Sequence, residues 1–521
     1  LSSAYTQRLA QLDNAEGLSH LRQLLHGIEK EGLRVTPQGE IAQTPHPRVL
    51  GAALTHPSIT TDYSESLLEF ITPTFHQVDD VLAHLTNIHA FVAQSLNNEM
   101  MWTSSMPCAL QGDLSIPIAQ YGSSNIGQLK HVYRRGLWHR YGRTMQAIAG
   151  IHYNFSLPVS FWPFLKTIEK NNDVVQDFRS ASYFSLIRNF RRYAWLFYYL
   201  FGSSPAVDKS FLDNKKHVLE KLDEHTLFGE YATSLRMSDI GYNNSNQSSL
   251  RVCHNNINNY INMLDKATHT PHPDYEKIGI KQNGEYCQIN TYILQIANEY
   301  YSSIRPKSVA PSGKTPIASL KAQGVEYIEV RGVDINPFLP MGISKEQALF
   351  IDIFLLSCLL KDSIEMSNDE YDRIANNHRL IVLQGRCPAL TLNDGRSERS
   401  IRDWGVELLD DLLPVAALLD KAHSSTRYND VIESQREKLS HPDATPSAQV
   451  LAHLREQGLS FTQMALQESE RTAALLKQHD LSPALKAEFE NLARTSLAEQ
   501  TAIEQSDTID FEQFRQHYIA Q

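Results

Sequence analysis

Residues 27–35, Gly27-Ile28-Glu29-Lys30-Glu31-Gly32-Leu33-Arg34-Val35, place two glutamates two positions apart. Side chains of a β-strand alternate between its faces, so as a strand this stretch projects Glu29 and Glu31 from the same one. Two ionised carboxylates about 4 Å apart repel by roughly 4 kcal/mol at an effective dielectric of about 20. A folded chain tolerates that if the pair is solvated, if one member is protonated, or if a cation lies between them. Taken alone such a pair is more often a solvated face, so its weight depends on whether the pattern recurs.

It does recur. Val325-Glu326-Tyr327-Ile328-Glu329-Val330-Arg331 reads as a second strand, with Glu329 and Arg331 at the same spacing. Ile151-His152-Tyr153-Asn154-Phe155-Ser156-Leu157 alternates apolar and polar as a half-buried strand should, and carries His152. Asp62 and Glu69 flank Tyr63-Ser64-Glu65-Ser66-Leu67-Leu68, and Glu69 sits inside an apolar run, where an acid is directed toward a pocket. A lone strand histidine is ordinarily a satisfied core residue. Together, Glu29, Glu31, Asp62, Glu69, Glu329 and His152 are mostly oxygen donors, a set suited to Mg²⁺ or Mn²⁺ and poor for structural zinc. Such ions beside arginines point to phosphoryl transfer, in which a protein positions groups and neutralises charge.

Helical periodicity surrounds these strands, around 183–199 and 344–360. Strands and helices do not alternate regularly enough for a doubly wound parallel sheet. The prediction is an α+β fold, an antiparallel sheet with helices packed outside it. Ser440-His441-Pro442-Asp443-Ala444-Thr445-Pro446-Ser447 reads as a linker. After it the chain turns helical: Ser447 is predicted to cap one helix that stops at Gly458, and Ser482-Pro483 to start another. The expected division is a catalytic body over 1–440 and a helical region over 441–521 packed on it.

The 521 residues carry 48 Lys+Arg against 59 Asp+Glu, a formal charge of −11, with no basic stripe, so nucleic acid is excluded as a partner. Cys108, Cys253, Cys287, Cys358 and Cys387 are scattered without CxxC, which argues against a disulfide framework or a zinc ribbon. The longest apolar run, 348–360, contains Asp352 and is too short to cross a bilayer. Leu1-Ser2-Ser3-Ala4-Tyr5 lacks the layout of a signal peptide, so the expected location is the cytoplasm, with no membrane partner. Gly313-Lys314-Thr315 imitates the end of a P-loop, but Ser308 stands where its first glycine belongs and Pro316 interferes with the helix that must follow. Gly122-Ser123-Ser124-Asn125-Ile126-Gly127 reads as a plain loop. Neither HExxH nor GxSxG occurs, so covalent catalysis has no local signature.

At these residues the sequence resembles the bacterial glutamate–cysteine ligases (γ-glutamylcysteine synthetases) of the gammaproteobacterial type, cousins of glutamine synthetase. The matching segments are 27–35, 60–73, Ser105-Met106-Pro107-Cys108, Ala119-Gln120-Tyr121-Gly122, 150–156, Tyr231-Ala232-Thr233-Ser234-Leu235-Arg236, Ile304-Arg305-Pro306-Lys307 and 326–338, in family order. The resemblance implies a glutamine-synthetase-like antiparallel sheet forming a funnel-shaped active site, surrounded by helices, with a helical C-terminal appendage. It implies ATP-dependent joining of the γ-carboxylate of L-glutamate to the amine of L-cysteine through a γ-glutamyl phosphate, the first step of glutathione biosynthesis. Glu31, Asp62 and Glu69 would hold a metal near the substrate carboxylate, and Glu29, His152 and Glu329 one that bridges ATP phosphates. Arg331, with Arg134 second, would neutralise the transferring phosphoryl group, and Arg236 would pair with a substrate carboxylate. Tyr63, Tyr133, Leu137, Ile148 and Tyr242 would form the cysteine pocket. Glutathione is the expected feedback inhibitor and a monomer the expected state. Two positions depart from the family: Gly32, where many relatives have Thr, and Gly332, where many have Ser. Two other readings share these residues: a glutamate–amine ligase with another acceptor, and a non-catalytic binding homologue.

Overall fold

The computed structural model of the chain describes residues 3–213, 215–241, 250–309 and 315–520. Its centre is an antiparallel sheet of seven strands. In chain order these are β1 (Leu25–Val35), β2 (Ile59–Thr61), β3 (Leu67–Ile71), β4 (Met100–Met101), β5 (Ile151–Ser156), β6 (Ile304–Lys307) and β7 (Tyr327–Val333). Across the sheet the order is β6-β7-β5-β1-β3-β2, with β4 paired to the end of β1. The sheet is therefore open, and the period-two reading of residues 27–35, 151–157 and 325–331 holds.

The even-numbered residues of β1, Ile28 and Lys30, are buried, as are Tyr153 and Phe155 of β5 and Ile328 and Val330 of β7. Directly opposed residues of a ladder share a face. These side chains therefore form one apolar layer, covered by helices α1 (Val78–Ser95) and α3 (Val175–Phe201), while α2 (Asn125–Tyr141) lies elsewhere. Behind α1 and α3 runs α4 (Lys345–Leu360), capped by Ser344 and buried on almost every side, as its continuous apolar composition demands. Its Asp352 is fully buried, and its Oδ1 accepts from Tyr153 Oη at 2.9 Å and lies 3.2 Å from His26 Nδ1. That network ties α4 to β1 and β5 from behind.

The tail is helical: α5 (Pro446–Gln457), α6 (Phe461–Lys477), α7 (Pro483–Ser506) and α8 (Phe511–Ile519). Gly458 ends α5 in the left-handed conformation, and Ser482-Pro483 opens α7. Two expectations need correction. Thr445, not Ser447, caps α5, because Pro446 takes the first helical position and moves the cap back. Nor is the 440–447 stretch a free linker: Thr445 and Ser447 are buried, and Thr445 Oγ1 closes the turn on the Pro442 carbonyl at 2.7 Å. Pro316 likewise starts a helix, Pro316–Gln323, with Thr315 as its cap, while Gly313 and Lys314 lie outside the described residues. The Gly122–Gly127 stretch is no plain loop, since Ser124 caps α2 by accepting from Gly127 N. Among the described residues no helix is long and apolar enough to cross a membrane.

Candidate active site

Strand register assembles the site. Glu29 on β1 stands opposite His152 on β5, Glu31 opposite Glu69 on β3, and Glu329 on β7 opposite Asn154. Arg305 on β6 stands opposite Glu329 in turn. The odd residues of β1 and their partners thus share the face of the sheet away from α1 and α3. Asp62 lies at the turn between β2 and β3 and lines the same space.

Distances divide the carboxylates into two groups. Ligand atoms of Glu29, His152 and Glu329 all lie within 4.8 Å of one another. His152 Nδ1 is 3.3 Å from Glu29 Oε2, and Asn154 Nδ2 donates to Glu29 Oε1 at 2.8 Å. Glu329 accepts from Lys307 Nζ and from Arg331 Nη1, each at 3.0 Å. Burial would raise Glu329, but Lys307 and Arg331 overcome it and hold its carboxyl well below the usual range. Burial is overcome at Glu29 too, chiefly by the His152 hydrogen bond, and its carboxyl is net lowered.

The second group, Glu31, Asp62 and Glu69, lacks such cations. Glu31 accepts from Gly150 N at 2.7 Å and is 3.5 Å from His152 Nε2. Burial raises Glu31, outweighing His152. Burial also pushes Glu69 well above the usual range, with Glu29, Asp62 and Glu31 adding to the shift. Glu31 and Glu69 are thus pushed toward their neutral forms on this face of the sheet, and oxygen donors so placed fit a hard divalent cation that would displace their protons.

Most of the remaining predicted residues border or back a cavity of about 130 Å³. Tyr63, Tyr133, Arg134, Leu137 and Arg331 line it with Glu31 and Asp62. Tyr63 Oη is buried there and has no hydrogen-bond partner among the described residues. Arg134 donates from Nε to the Asp62 carbonyl at 2.5 Å and lies over the Tyr121 ring at 4.6 Å. Ile148 is fully buried and not in the lining. Arg236 lies behind the wall: it is 1% exposed, donates to the Arg331 carbonyl at 2.9 Å and faces Asp334 at 3.6 Å. Tyr242 falls outside the described residues. Cys108 is buried, and burial pushes its thiol up to about 12, so it is no nucleophile.

Sequence reasoning passed over Lys307, Arg305 and Asn154 as site residues. The signal was available. Asn154 is two residues from His152, and Arg305 and Lys307 are two apart on one strand, the same spacing that singled out the glutamates. Beside Lys307 opens a second cavity, of about 310 Å³, lined by Arg305, Lys307, Val309, Ile317, Leu320 and Tyr327 among others.

An open antiparallel sheet with carboxylates converging on one face and a lysine and arginines at its rim fits the ATP-dependent ligase that the sequence resemblance implies. Comparison with known proteins agrees. The family model described as glutamate-cysteine ligase matches residues 9–381. The glutamate–cysteine ligase of Pseudomonas paraeruginosa (strain DSM 24068 / PA7) is 51% identical over 520 residues, covering 100% of this chain and 98% of the relative. That of Pseudomonas putida is 50% identical over the same length, covering 100% of this chain and 99% of the relative. The crystal structure of the Francisella tularensis glutamate–cysteine ligase in complex with AMP superposes with a TM-score of 0.90 at 37% identity, covering 96% of this chain and 98% of that one. A bifunctional glutathione synthetase from Pasteurella multocida gives 0.71 at 25% identity, covering 94% of this chain and 58% of that one. The chain belongs to the glutamate–cysteine ligase family.

Proposed function

We propose that the carboxylate face of the sheet joins the γ-carboxylate of L-glutamate to the amine of L-cysteine at the expense of ATP. One observation carries the assignment of roles: Glu329, beside Glu29 and His152, is held by Lys307 and Arg331 at 3.0 Å each. A carboxylate is a poor electrophile, and a triphosphate and a carboxylate repel, so their approach must be screened. In this reading a γ-carboxylate oxygen attacks the γ-phosphorus of ATP, ADP leaves, and the amine displaces phosphate from the γ-glutamyl phosphate.

Glu29, His152 and Glu329 would hold a cation at the phosphates, and Glu31, Asp62 and Glu69 one nearer the substrate carboxylate. Mg²⁺ or Mn²⁺ bound there supplies charge neutralisation. The chain's own residues do the rest. Burial disfavours the charge on Arg331, but Glu329 and Glu31 outweigh it and hold the proton more firmly than on an ordinary guanidinium. It therefore stays a cation facing the transferring phosphoryl group, with Arg134 lining the same cavity. Lys307 and Arg305 draw the triphosphate across the rim, and Val309, Ile317 and Leu320 give the nucleoside an apolar bed. Tyr63, Tyr133 and Leu137 bound the acceptor, shaping the pocket to a small side chain. Arg236, fixed by Asp334 and the Arg331 carbonyl, backs that pocket and pairs with a substrate carboxylate that reaches it. The proposal extends to a monomer acting in the cytoplasm, residues 441–521 serving its single body, and to glutathione, which shares the γ-glutamyl end, as a competitor at the glutamate site.

A panel of amine acceptors tests this. ADP formation with ATP, Mg²⁺ and glutamate is expected to be fastest with cysteine. Faster turnover with another amine would move the assignment to a different acceptor, and no turnover with any amine would favour a binding protein.

A further inference from the structure

Helix α8, the last of the chain, does not pack on the body at random. Phe511 joins Leu129 and Val132 of α2 and Ile289 in a small apolar cluster separate from the main core. Phe514, Tyr518 and Ile519 of α8 pack around that cluster, and so does Tyr133, whose ring also lines the substrate cavity. The Tyr286 ring meets Phe511 edge to face at 4.9 Å. Arg515, 9% exposed, donates from Nη1 to the Ile289 carbonyl at 2.5 Å and pairs with Glu512, which accepts from Tyr286 Oη at 2.7 Å. The 286–299 segment is thereby held between α8 and α2. On its other side Gln295 Nε2 donates to the Tyr133 carbonyl at 3.1 Å, and Glu299, a cavity residue, pairs with Arg140 of α2 at 3.0 Å.

The chain between α7 and α8 grips the start of α2 as well. Asp507 Oδ2 accepts from Asn125 N at 2.6 Å, Asn125 Nδ2 donates to the Ile509 carbonyl at 2.8 Å, and Glu504 accepts from Ser123 N at 2.8 Å. An acid on the free N–H groups of a helix N-terminus stabilises the helix where it begins. The tail therefore fixes α2 at its end and along one side, and α2 carries Tyr133, Arg134 and Leu137.

We propose that Phe511, Arg515 and Asp507 are positioning residues for the acceptor pocket, so that the C-terminal helix sets how tightly the amine substrate is held. This rests on the assignment of Tyr133 and Leu137 to that pocket. Small residual movements of a substrate wall carry large kinetic penalties, since alignment of reacting groups is lost before the fold is. Of the residues in or packed on the cluster around Phe511, Tyr133 is the one assigned to the acceptor pocket, so the effect of Phe511 passes through it.

Full-length variants with all substrates present separate this from general destabilisation. Phe511→Ala should raise the KM for cysteine about tenfold while the KM for ATP stays within about twofold, and Phe511→Leu should recover most of the loss. Phe489→Ala is the control. Phe489 on α7 is more deeply buried than Phe511 and stacks on Phe91 of α1 at 5.1 Å, not on the cluster beside α2, so the KM for cysteine should not move. If Phe511→Ala leaves the KM for cysteine unchanged while Tyr133→Ala raises it, the positioning role is overturned and the pocket stands. If Tyr133→Ala leaves it unchanged, the pocket assignment fails and the positioning role with it. A parallel rise in the KM for both cysteine and ATP in Phe511→Ala also overturns the proposal.

Discussion

Glu31 on β1 and Glu69 on β3 are directly opposed residues of an antiparallel ladder, two carboxylates facing each other across adjacent strands. Like charges so placed destabilise a sheet. No lysine or arginine forms an ion pair with either among the described residues, and Glu69 is pushed well above its usual range by burial and then by Glu29, Asp62 and Glu31. The pair makes sense where a cation is to be held.

Glu69→Gln should therefore make the cation-free protein more stable, by about 1–2 °C in Tm, while abolishing turnover. The effect depends on pH in a definite sense. An acid whose folded-state pKa lies above its unfolded value of 4.5 binds more protons folded than unfolded between those two values. Stability therefore falls as pH rises through that window, and what Glu69 costs is absent below it. Melting in EDTA across about pH 4–8, taken as wild type minus variant, should show that fall. A difference that rises with pH would contradict it.

Lys307→Met should remove one of the two cations that hold Glu329, leaving the rim of the nucleotide cavity less positive. A hydrogen bond to a charged group contributes about 1.5–3 kcal/mol, so the KM for ATP should rise at least about tenfold. ATP titration at saturating glutamate and cysteine checks this, and an unchanged KM would place the triphosphate elsewhere.

Gly32 and Gly332 should respond differently to a methyl group. A Cβ on Gly332 would lie 2.6 Å from Tyr198 Oη and 2.7 Å from Tyr198 Cε1, and that ring is buried against His378 at 4.8 Å. Gly332→Ala should cost about 1–3 kcal/mol, as overpacking does, and disturb the bulge that presents Arg331. A Cβ on Gly32 meets chiefly the flexible end of Met101, so Gly32→Ala should cost less than about 1 kcal/mol. Equal losses in urea unfolding would mean that Tyr198 yields as readily as Met101.

What could be read in the sequence was whatever depends on spacing within one strand. Glu29 and Glu31, or Glu329 and Arg331, share a face because alternation is a local rule, and His152 followed from the same rule. The opposition of Glu31 to Glu69 was not legible, because register is set by partners distant in the chain. Lys307 obeyed the spacing rule but sat in a segment with no carboxylate to draw attention to it. Thr445 took the cap from Ser447 because Pro446 prefers the first helical turn, a competition that a list of capping residues does not resolve. The grip of α8 on α2 was hidden for another reason: an apolar face in a tail says that something is covered, not what.

Turnover of Glu329→Gln is the most direct test of the central claim that this face of the sheet carries out phosphoryl transfer. Measured as ADP formed with Mg²⁺, glutamate and cysteine saturating, it should fall at least about a hundredfold, the scale of losing a main electrostatic stabiliser. The protein should remain folded by circular dichroism. Turnover near that of the wild type would show that the chemistry lies elsewhere.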